Sequence, residues 1–254
     1  MERSLISISV VSHGQGSLVE PLLADLATHC RSDIEILLTQ NLPEGEPPRQ
    51  PFPLRIIRNA VPKGFAANHN AAWGEARGNY FCVLNPDIRL TSDPFPVLVP
   101  ALTDPQAGVA APLIVNAAGI LEDSARPFPT VSHILQKAIG RQPTRYYDIG
   151  TDILSPDWVA GMFMLFRTDT FREVGGFDAR YHLYYEDVDL CARLRVLGYD
   201  VRLCPAATVV HLARRESRRN LRYFAWHLSS MLRWFLSGTR RLPTRSPRVP
   251  RGAN

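Results

Sequence analysis

The segment Leu5 to Val11 reads LISISVV. It sets Ile6, Ile8 and Val10 on one face and ends in a continuous apolar pair, as a central strand of a parallel sheet does. Parallel pairing demands a crossover, and the chain supplies one. Ser12-His13-Gly14-Gln15-Gly16 is a polar turn, and Ser17 with Glu20 forms an S-x-x-E capping box ahead of Leu22, Leu23 and Leu26. Ile34 to Leu38 (IEILL) returns as a second strand, so the chain opens on a βαβ unit. The alternation continues. Strand character recurs at Leu54 to Arg58, Tyr80 to Leu84, Val109 to Val115 and Trp158 to Phe166, with helical or loop stretches between. The fold expected is α/β, with a mostly parallel sheet flanked by helices.

Several local features refine this frame. Residues 40–53 hold five prolines and read as loop. Ala66 to Ala72 is an alanine-rich helix, with Asn68, His69 and Asn70 expected on its solvent side and Gly78 at its end. Asp93 with Pro94 reads as an N-cap followed by Pro at the first helical position. Residues 122–156 lack a period and are expected to form a loop-rich insertion over the site. Gly161 interrupts the Trp158 to Phe166 strand, the mark of a bulge or of close backbone approach to a ligand. Thr168 starts a short helix that stops at Gly175-Gly176. Asp200 to Cys204 is a strand closed by Pro205, and Thr208-Val209-Val210 delivers His211.

Tyr184-Tyr185-Glu186-Asp187-Val188-Asp189-Leu190-Cys191 packs three carboxylates into four positions. Like charges this close raise one another's pKa unless a cation or a helix N-terminus compensates. Leu190, Cys191, Leu194 and Leu197 follow at helical spacing, and Gly198 stops the run. The cluster is therefore the first turn of an amphipathic helix, with an Asp189–Arg193 pair at i,i+4. A plain helix start accounts for it as well as a catalytic role does, on these residues alone.

Two further residues carry chemistry. Asn85-Pro86-Asp87 follows a buried strand, and ligands of open α/β sheets bind beyond the carboxyl ends of strands. Asp87 is placed to hold a cation on a phosphate, although the isolated tripeptide also reads as a simple turn. His211, far away in sequence, could converge with Asp87 on one divalent metal. Gly14-Gln15-Gly16 invites a nicotinamide-dependent oxidoreductase, but Val19 stands where that fingerprint wants its third glycine.

Charge is uneven. From Arg214 to Asn254 there are eleven Arg and one Glu, 11 − 1 = +10, against a total of +5, leaving 5 − 10 = −5 for the first 213 residues. A basic end on a nearly neutral body suits an anionic partner. Nucleic acid is not expected, because no recognised motif accompanies the charge. No apolar run reaches the ~18 to 20 residues of a membrane span, and the N-terminal stretch lacks signal-peptide features. Cys30, Cys82, Cys191 and Cys204 show no CxxC pairing and read as small buried residues of a cytosolic protein.

Six stretches, in this order, resemble the family-2 glycosyltransferases with the GT-A fold, and especially their rhamnosyltransferase-like branch. They are SISVVSHG (7–14), KGFAANHNAA (63–72), GNYFCVLNPDIRL (78–90), WVAGMFMLFR (158–167), VGGFDARYHLYYEDVDLCARLRVLGYDV (174–201) and VVHLARRES (209–217). The resemblance implies an inverting, metal-dependent transfer of a sugar from a nucleoside-diphosphate donor, dTDP-L-rhamnose or a UDP-hexose. The acceptor would be a hydroxyl of a glycan or lipid-linked molecule, in cell-surface polysaccharide synthesis. It implies Asp187 as general base, with Glu186 and Asp189 orienting the acceptor and the helix. Asp87 and His211 would hold Mg²⁺ or Mn²⁺. Val11, Ser12, Gly64, Phe65, Asn70, Asn85 and Pro86 would line the donor side with Asp87. Trp158, Gly161 and Glu186 would shape the acceptor pocket. One departure stands out: the family's second strand ends in Asp-Asn, whereas Gln40-Asn41 stands here, and a Gln amide can still pair with a uracil or thymine edge. Gln40 and Asn85 together motivate another reading, a non-catalytic sugar-nucleotide-binding module.

The expected organisation is a GT-A domain over 1–217, its donor half at 1–115 and its acceptor half at 116–217. Residues 218–254 follow as an amphipathic helix and a basic, partly disordered tail. Leu221 to Leu236 mixes aromatic and aliphatic residues with Arg222 and Arg233. It suits either packing on the domain or lying peripherally on an anionic membrane, at the inner face of the cytoplasmic membrane.

Overall fold

A computed structural model describes residues 5–139, 146–212 and 221–237. The chain runs β1 (Ile6–Ser12), α1 (Gly16–His29), β2 (Ile34–Gln40), β3 (Leu54–Arg58), α2 (Phe65–Trp73), β4 (Tyr80–Leu84), β5 (Ile88–Arg89), α3 (Phe95–Ala101) and β6 (Ala107–Asn116). It continues with β7 (Ala125–Arg126), α4 (Val131–Ala138), β8 (Trp158–Val159), β9 (Phe163–Arg167), α5 (Thr168–Glu173), α6 (Glu186–Val196), β10 (Asp200–His211) and α7 (Leu221–Leu236). The main sheet has the order β3-β2-β1-β4-β9-β6-β10-β5. β1 pairs in parallel with both β2 and β4, which places the topological switch point at its carboxyl end. β9 is antiparallel to β4 and β6, and β5 is antiparallel to β10.

The core lies in two layers. Ile8, Val10, Ile36, Leu38 and Leu84 pack with Leu22 and Leu26 of α1 and Leu98 of α3 on one face. Leu37, Phe81, Val83, Met164 and Phe166 pack on the other with Phe171 of α5 and Leu190 and Leu194 of α6. On that second face β1 carries serines, and both Ser7 and Ser9 are fully buried. Their small side chains let neighbours approach. Ser9 Oγ lies 2.8 Å from His69 Nδ1, and Ser7 Oγ donates to Glu35 at 2.5 Å while accepting the Gly78 N–H at 2.8 Å.

Local expectations shift accordingly. Asn68 and His69 are 1% exposed, so they face the sheet rather than solvent. Gly78 does not end α2, which stops at Trp73; a Cβ at 78 would stand 2.6 Å from Leu5 O, so the position serves close strand approach. Gln15, not Ser17, is the N-cap residue of α1, with no side-chain cap, and its own N–H donates to Ser12 Oγ at 3.1 Å. α3 starts one residue later than expected, capped at Pro94, although Asp93 Oδ1 still accepts the Phe95 N–H at 3.0 Å. Pro205 does not close a strand; β10 runs through it with a register shift between Cys204 and Thr208. The single strand expected over Trp158 to Phe166 is two, with β8 pairing β7 and β9 joining the main sheet. The 122–156 insertion holds β7 and α4 besides its loops. The basic tail beyond residue 237, and residues 213–220, lie outside the described residues.

Candidate active site

The carboxyl ends of β4 and β10 meet at one point. β4 runs into Asn85-Pro86-Asp87, and Leu212 N–H donates to Asp87 O at 2.9 Å, fixing the end of β10 beside that turn. His211 Nε2 lies 3.2 Å from Asp87 Oδ2, and its Nδ1 lies 2.7 Å from Glu122 Oε2. Burial would push the His211 imidazole down, but hydrogen bonds with Asp87 and Glu122 and their charges hold it at about 8. Asp87 Oδ1 is buried with no hydrogen-bond partner among the described residues. An orphan carboxylate oxygen beside an imidazole suits a divalent cation. Asp87 and Glu122 sit on opposite ring nitrogens of His211, and among the described residues no group of three such side chains is arranged to hold a metal ion. Sequence reasoning missed Glu122, which sits in a stretch without periodicity.

The acid turn is built on strained backbone. Tyr184 and Tyr185 take φ of +68° and +67°, and Tyr185 is the N-cap of α6. Non-glycine residues in the left-handed region each cost about 1–3 kcal/mol and persist where their surroundings over-determine them. Helix α7 provides such surroundings. His227 packs on both tyrosine rings at 5.2 and 5.6 Å between centroids, and Ser230 Oγ donates to Leu183 O at 2.9 Å.

The three acids of this turn have three different environments. Asp187 Oδ2 accepts the Gly161 N–H at 2.9 Å, and Oδ1 accepts the Val188 N–H at 2.8 Å. Burial raises its pKa, opposed by those two amides and by the Arg126 charge. Glu186 is 5% exposed, and its Oε2 has no partner among the described residues. Burial first, and the Asp187 charge second, push it well above the carboxylate range. Burial raises both, but the two amides and Arg126 oppose it only at Asp187, so a shared proton favours Glu186. Asp189 is pulled away into an ion pair, Arg193 Nε donating to its Oδ2 at 2.8 Å while Arg193 also donates to Val174 O.

Glu186 and Asp187 open into a cleft with Trp158, Tyr184, Tyr185, Tyr146, Arg126 and His227. Its aromatic walls and few polar groups match a small-molecule site. Trp158 donates its indole N–H to Pro127 O at 2.9 Å, and Arg126 stands 5.5 Å over its ring while pairing with Asp123. Asp189 does not line this cleft. Arg126, Tyr146 and His227 do, and no sequence signal singled them out, since two-residue β7, an irregular stretch of the 122–156 insertion and a distant helix deliver them.

Donor-side expectations divide. Gly64 and Phe65 do not line this cleft but pack near the Gly161 backbone that holds Asp187: Phe65 N–H donates to His182 O at 2.9 Å, and a Cβ on Gly161 would meet Phe65 Cζ at 3.4 Å. Asn41 sets that turn, with Nδ2 donating to Lys63 O and Oδ1 accepting the Lys63 N–H, both at 2.8 Å. Ser12 and Gln40 end paired strands beside Val11, and Glu44 folds over them, accepting from Ser12 Oγ at 2.7 Å and Gly14 N–H at 2.9 Å. Gln40 Nε2 donates to Gly45 O at 2.7 Å, which orients the amide and leaves its buried Oε1 without a partner among the described residues. Asn70 is not brought to this group. Its amide is spent on the Phe177 backbone, donating at 2.7 Å and accepting at 2.9 Å.

This fold is that of nucleotide-sugar glycosyltransferases. GalNAc-T7, solved with UDP, GalNAc and Mn²⁺, superposes with a TM-score of 0.66 at 15% identity over 85% of this chain, which spans 45% of that longer one. Mannosyltransferase PcManGT of Pyrobaculum calidifontis, solved with GDP-Man and Mn²⁺, gives 0.64 at 16% identity over 96% of this chain and 67% of its own. The sheet and helices described above are thus a GT-A fold.

The chain belongs to glycosyl transferase family group 2, whose model matches residues 82–248. It is 29% identical over 250 residues to rhamnosyltransferase WbbL of Escherichia coli K12, covering 91% of this chain and 92% of the relative. It is also 29% identical to the N-acetylglucosaminyl-diphospho-decaprenol L-rhamnosyltransferase of Mycobacterium tuberculosis, over 82% of this chain and 76% of that one. The protein is a rhamnosyltransferase-like glycosyl-transfer enzyme.

Proposed function

We propose that this enzyme moves L-rhamnose from dTDP-L-rhamnose to a hydroxyl of a glycan or lipid-linked acceptor, with inversion, in cell-surface polysaccharide synthesis. The observation that carries the reading is Asp187: a carboxylate gripped by two backbone amides at the edge of an aromatic-walled cleft. The acceptor oxygen attacks the anomeric carbon, the bond to the diphosphate oxygen breaks, and the hydroxyl proton passes to Asp187. One base and one displacement invert the centre, and such a base contributes typically ~10²- to 10⁴-fold. Burial and the Asp187 charge favour a proton on Glu186, and a protonated Glu186 can donate a hydrogen bond to the acceptor. Trp158 and the tyrosines offer faces to a sugar ring, and Gly161 leaves room for it. Asp189 holds α6 through Arg193. We assign residues 1–115 to the donor, 116–217 to the acceptor and 218–254 to an appended helix and basic tail.

Asp87 and His211 would hold Mn²⁺ or Mg²⁺, and an imidazole in the set leans to Mn²⁺. The cation supplies positive charge against the diphosphate leaving group. Glu122, on the other ring nitrogen, orients His211 as partners of metal-binding histidines do. Asn85, Pro86, Val11, Ser12, Gly64 and Phe65 would flank the nucleotide. Gln40 Oε1, without a partner among the described residues, is an acceptor of the kind that the N3–H of thymine needs. Uracil carries the same group, so a UDP-hexose is the second reading. The names of the two bacterial relatives favour rhamnose. A cytoplasmic enzyme held peripherally at the inner face of the membrane would meet both substrates.

Thermal shift with dTDP-rhamnose, UDP-glucose and GDP-mannose, each with Mn²⁺, tests the donor. Asp187→Asn tests the base. Stabilisation by dTDP-rhamnose above the others, with donor binding kept and transfer lost in the variant, is the expected result. Wild-type turnover by Asp187→Asn would remove Asp187 from the mechanism.

A further inference from the structure

Helix α7 has two unlike faces. One is committed to the domain: Trp234 is buried, stacks on Phe128 and donates to Pro129 O at 3.2 Å, while Trp226 packs on His182 at 4.4 Å. The opposite face carries Phe224, Leu228, Leu232 and Leu236 at i,i+4 spacing, 65, 40, 52 and 81% exposed. Apolar residues scattered singly over a surface mean nothing, but four in register along one helix form a continuous stripe. Ala225 and Ser229 fill its gaps, and Arg180 and Arg233 border the shallow groove it lines. Residues 221–236 contain no Asp or Glu. They lie within the Arg214–Asn254 stretch that carries 11 − 1 = +10.

We infer that this outer face of α7 docks on an anionic phospholipid surface. The apolar stripe enters the acyl boundary and the arginines meet the headgroups, as in-plane amphipathic helices do. Charge selects the occupant. A second copy seated on this face would bring two +10 segments together, whereas an anionic leaflet neutralises them. Sixteen residues of helix span roughly 24 Å, and the arginines within it suit lying in the interface rather than crossing it. Among the described residues no helix is long and apolar enough to cross a membrane.

The docked helix is also a wall of the cleft. His227, adjacent to Leu228, lines the acceptor cleft and packs on the two strained tyrosines. Docking through Leu228 and Leu232 therefore sets the acceptor cleft beside the leaflet. That last step rests on the lipid-linked acceptor proposed above; the docking itself does not.

Co-sedimentation of the full chain with vesicles tests it, using phosphatidylcholine alone and phosphatidylcholine mixed with phosphatidylglycerol. The wild type should bind the mixed vesicles and lose that binding in high salt. The double variant Leu228→Ser, Leu232→Ser should bind them at least ~tenfold more weakly. Its melting temperature and its transfer to a water-soluble acceptor should remain those of wild type. Equal vesicle binding by variant and wild type would overturn the inference, as would a wild-type dimer that the variant dissociates. Vesicle binding without transfer to any acceptor would support the docking face while removing the proposed function.

Discussion

Gly161 donates its amide N–H to Oδ2 of Asp187 at 2.9 Å, and the next residue, Met162, accepts the Asn85 N–H at 2.9 Å. Two consecutive residues thus tie the acid turn of α6 to the Asn85-Pro86-Asp87 turn after β4. The Met162 contact continues the β4–β9 register by one residue, and the Gly161 N–H, in the break between β8 and β9, turns to Asp187. The site is held by backbone as much as by side chains.

Asp187→Asn should lower stability as well as activity. Both carboxylate oxygens accept backbone N–H groups, so an Asn amide must set its NH₂ against one of them. An unmet buried donor costs about 1–3 kcal/mol. Chemical denaturation should show that loss, and a stopped assay should show transfer down ~10²-fold or more. Unchanged stability would mean that the two amides do not grip the carboxylate.

Arg126→Gln should move the acid limb of the pH–kcat/KM profile to higher pH. The Arg126 charge works against the burial that raises Asp187, so removing it raises Asp187 further. The base is then protonated, and activity lost, at a pH where the wild type still turns over. An acid limb that stays put would separate Arg126 from the base.

Much of this was legible in the sequence because it rests on local pattern. The alternation of LISISVV, the turn after YFCVL and the acidic start of α6 each appear within a few residues, and the sheet followed from them. What sequence left open depends on distant packing. Asn68, His69 and Asn70 look polar and surface-facing, yet α2 lies against a strand whose Ser7 and Ser9 are small enough to admit polar partners. Asn70 staples Phe177 across 107 residues, and Glu122 reaches His211 across 89. The Asp189–Arg193 pair, by contrast, was legible from its i,i+4 spacing. Between the two options open for α7, the structure shows packing on one face and exposure on the other.

Glu186→Gln should stabilise the protein relative to wild type as pH rises. The unfolded side chain loses its proton near the ordinary value of ~4.3, whereas burial keeps the folded one protonated well above that. Between those values the folded state binds the extra proton, so wild-type stability falls with rising pH. Gln mimics the protonated acid and has no such slope. Melting temperatures of the two chains should converge in acid and separate toward neutral pH; parallel curves would contradict a protonated Glu186.

Glu122→Gln should weaken Mn²⁺ binding by ~10-fold or more while leaving the fold intact. The His211 ring is oriented by Glu122 at 2.7 Å, and an amide there can accept from the ring but adds no negative charge to it. Titration calorimetry with Mn²⁺ in the presence of a nucleoside diphosphate reads the effect directly. Equal affinity in both chains would leave Glu122 as a purely structural partner.

Gly64→Ala should damage the site more than its size suggests. A Cβ there would stand 2.9 Å from His182 Cα and 3.0 Å from its carbonyl carbon, with the carbonyl oxygen nearer still. That oxygen accepts the Phe65 N–H, so relieving the clash pulls α2 from the loop ahead of α6. Overpacking of this kind costs about 1–3 kcal/mol. Phe65 would move with α2, away from Gly161 and hence from the backbone that holds Asp187. Transfer should therefore fall by more than the loss of folded protein accounts for, with the deficit in kcat as well as in donor KM. A Gly64→Ala variant that melts and turns over as wild type does would show that this close approach has no part in building the site.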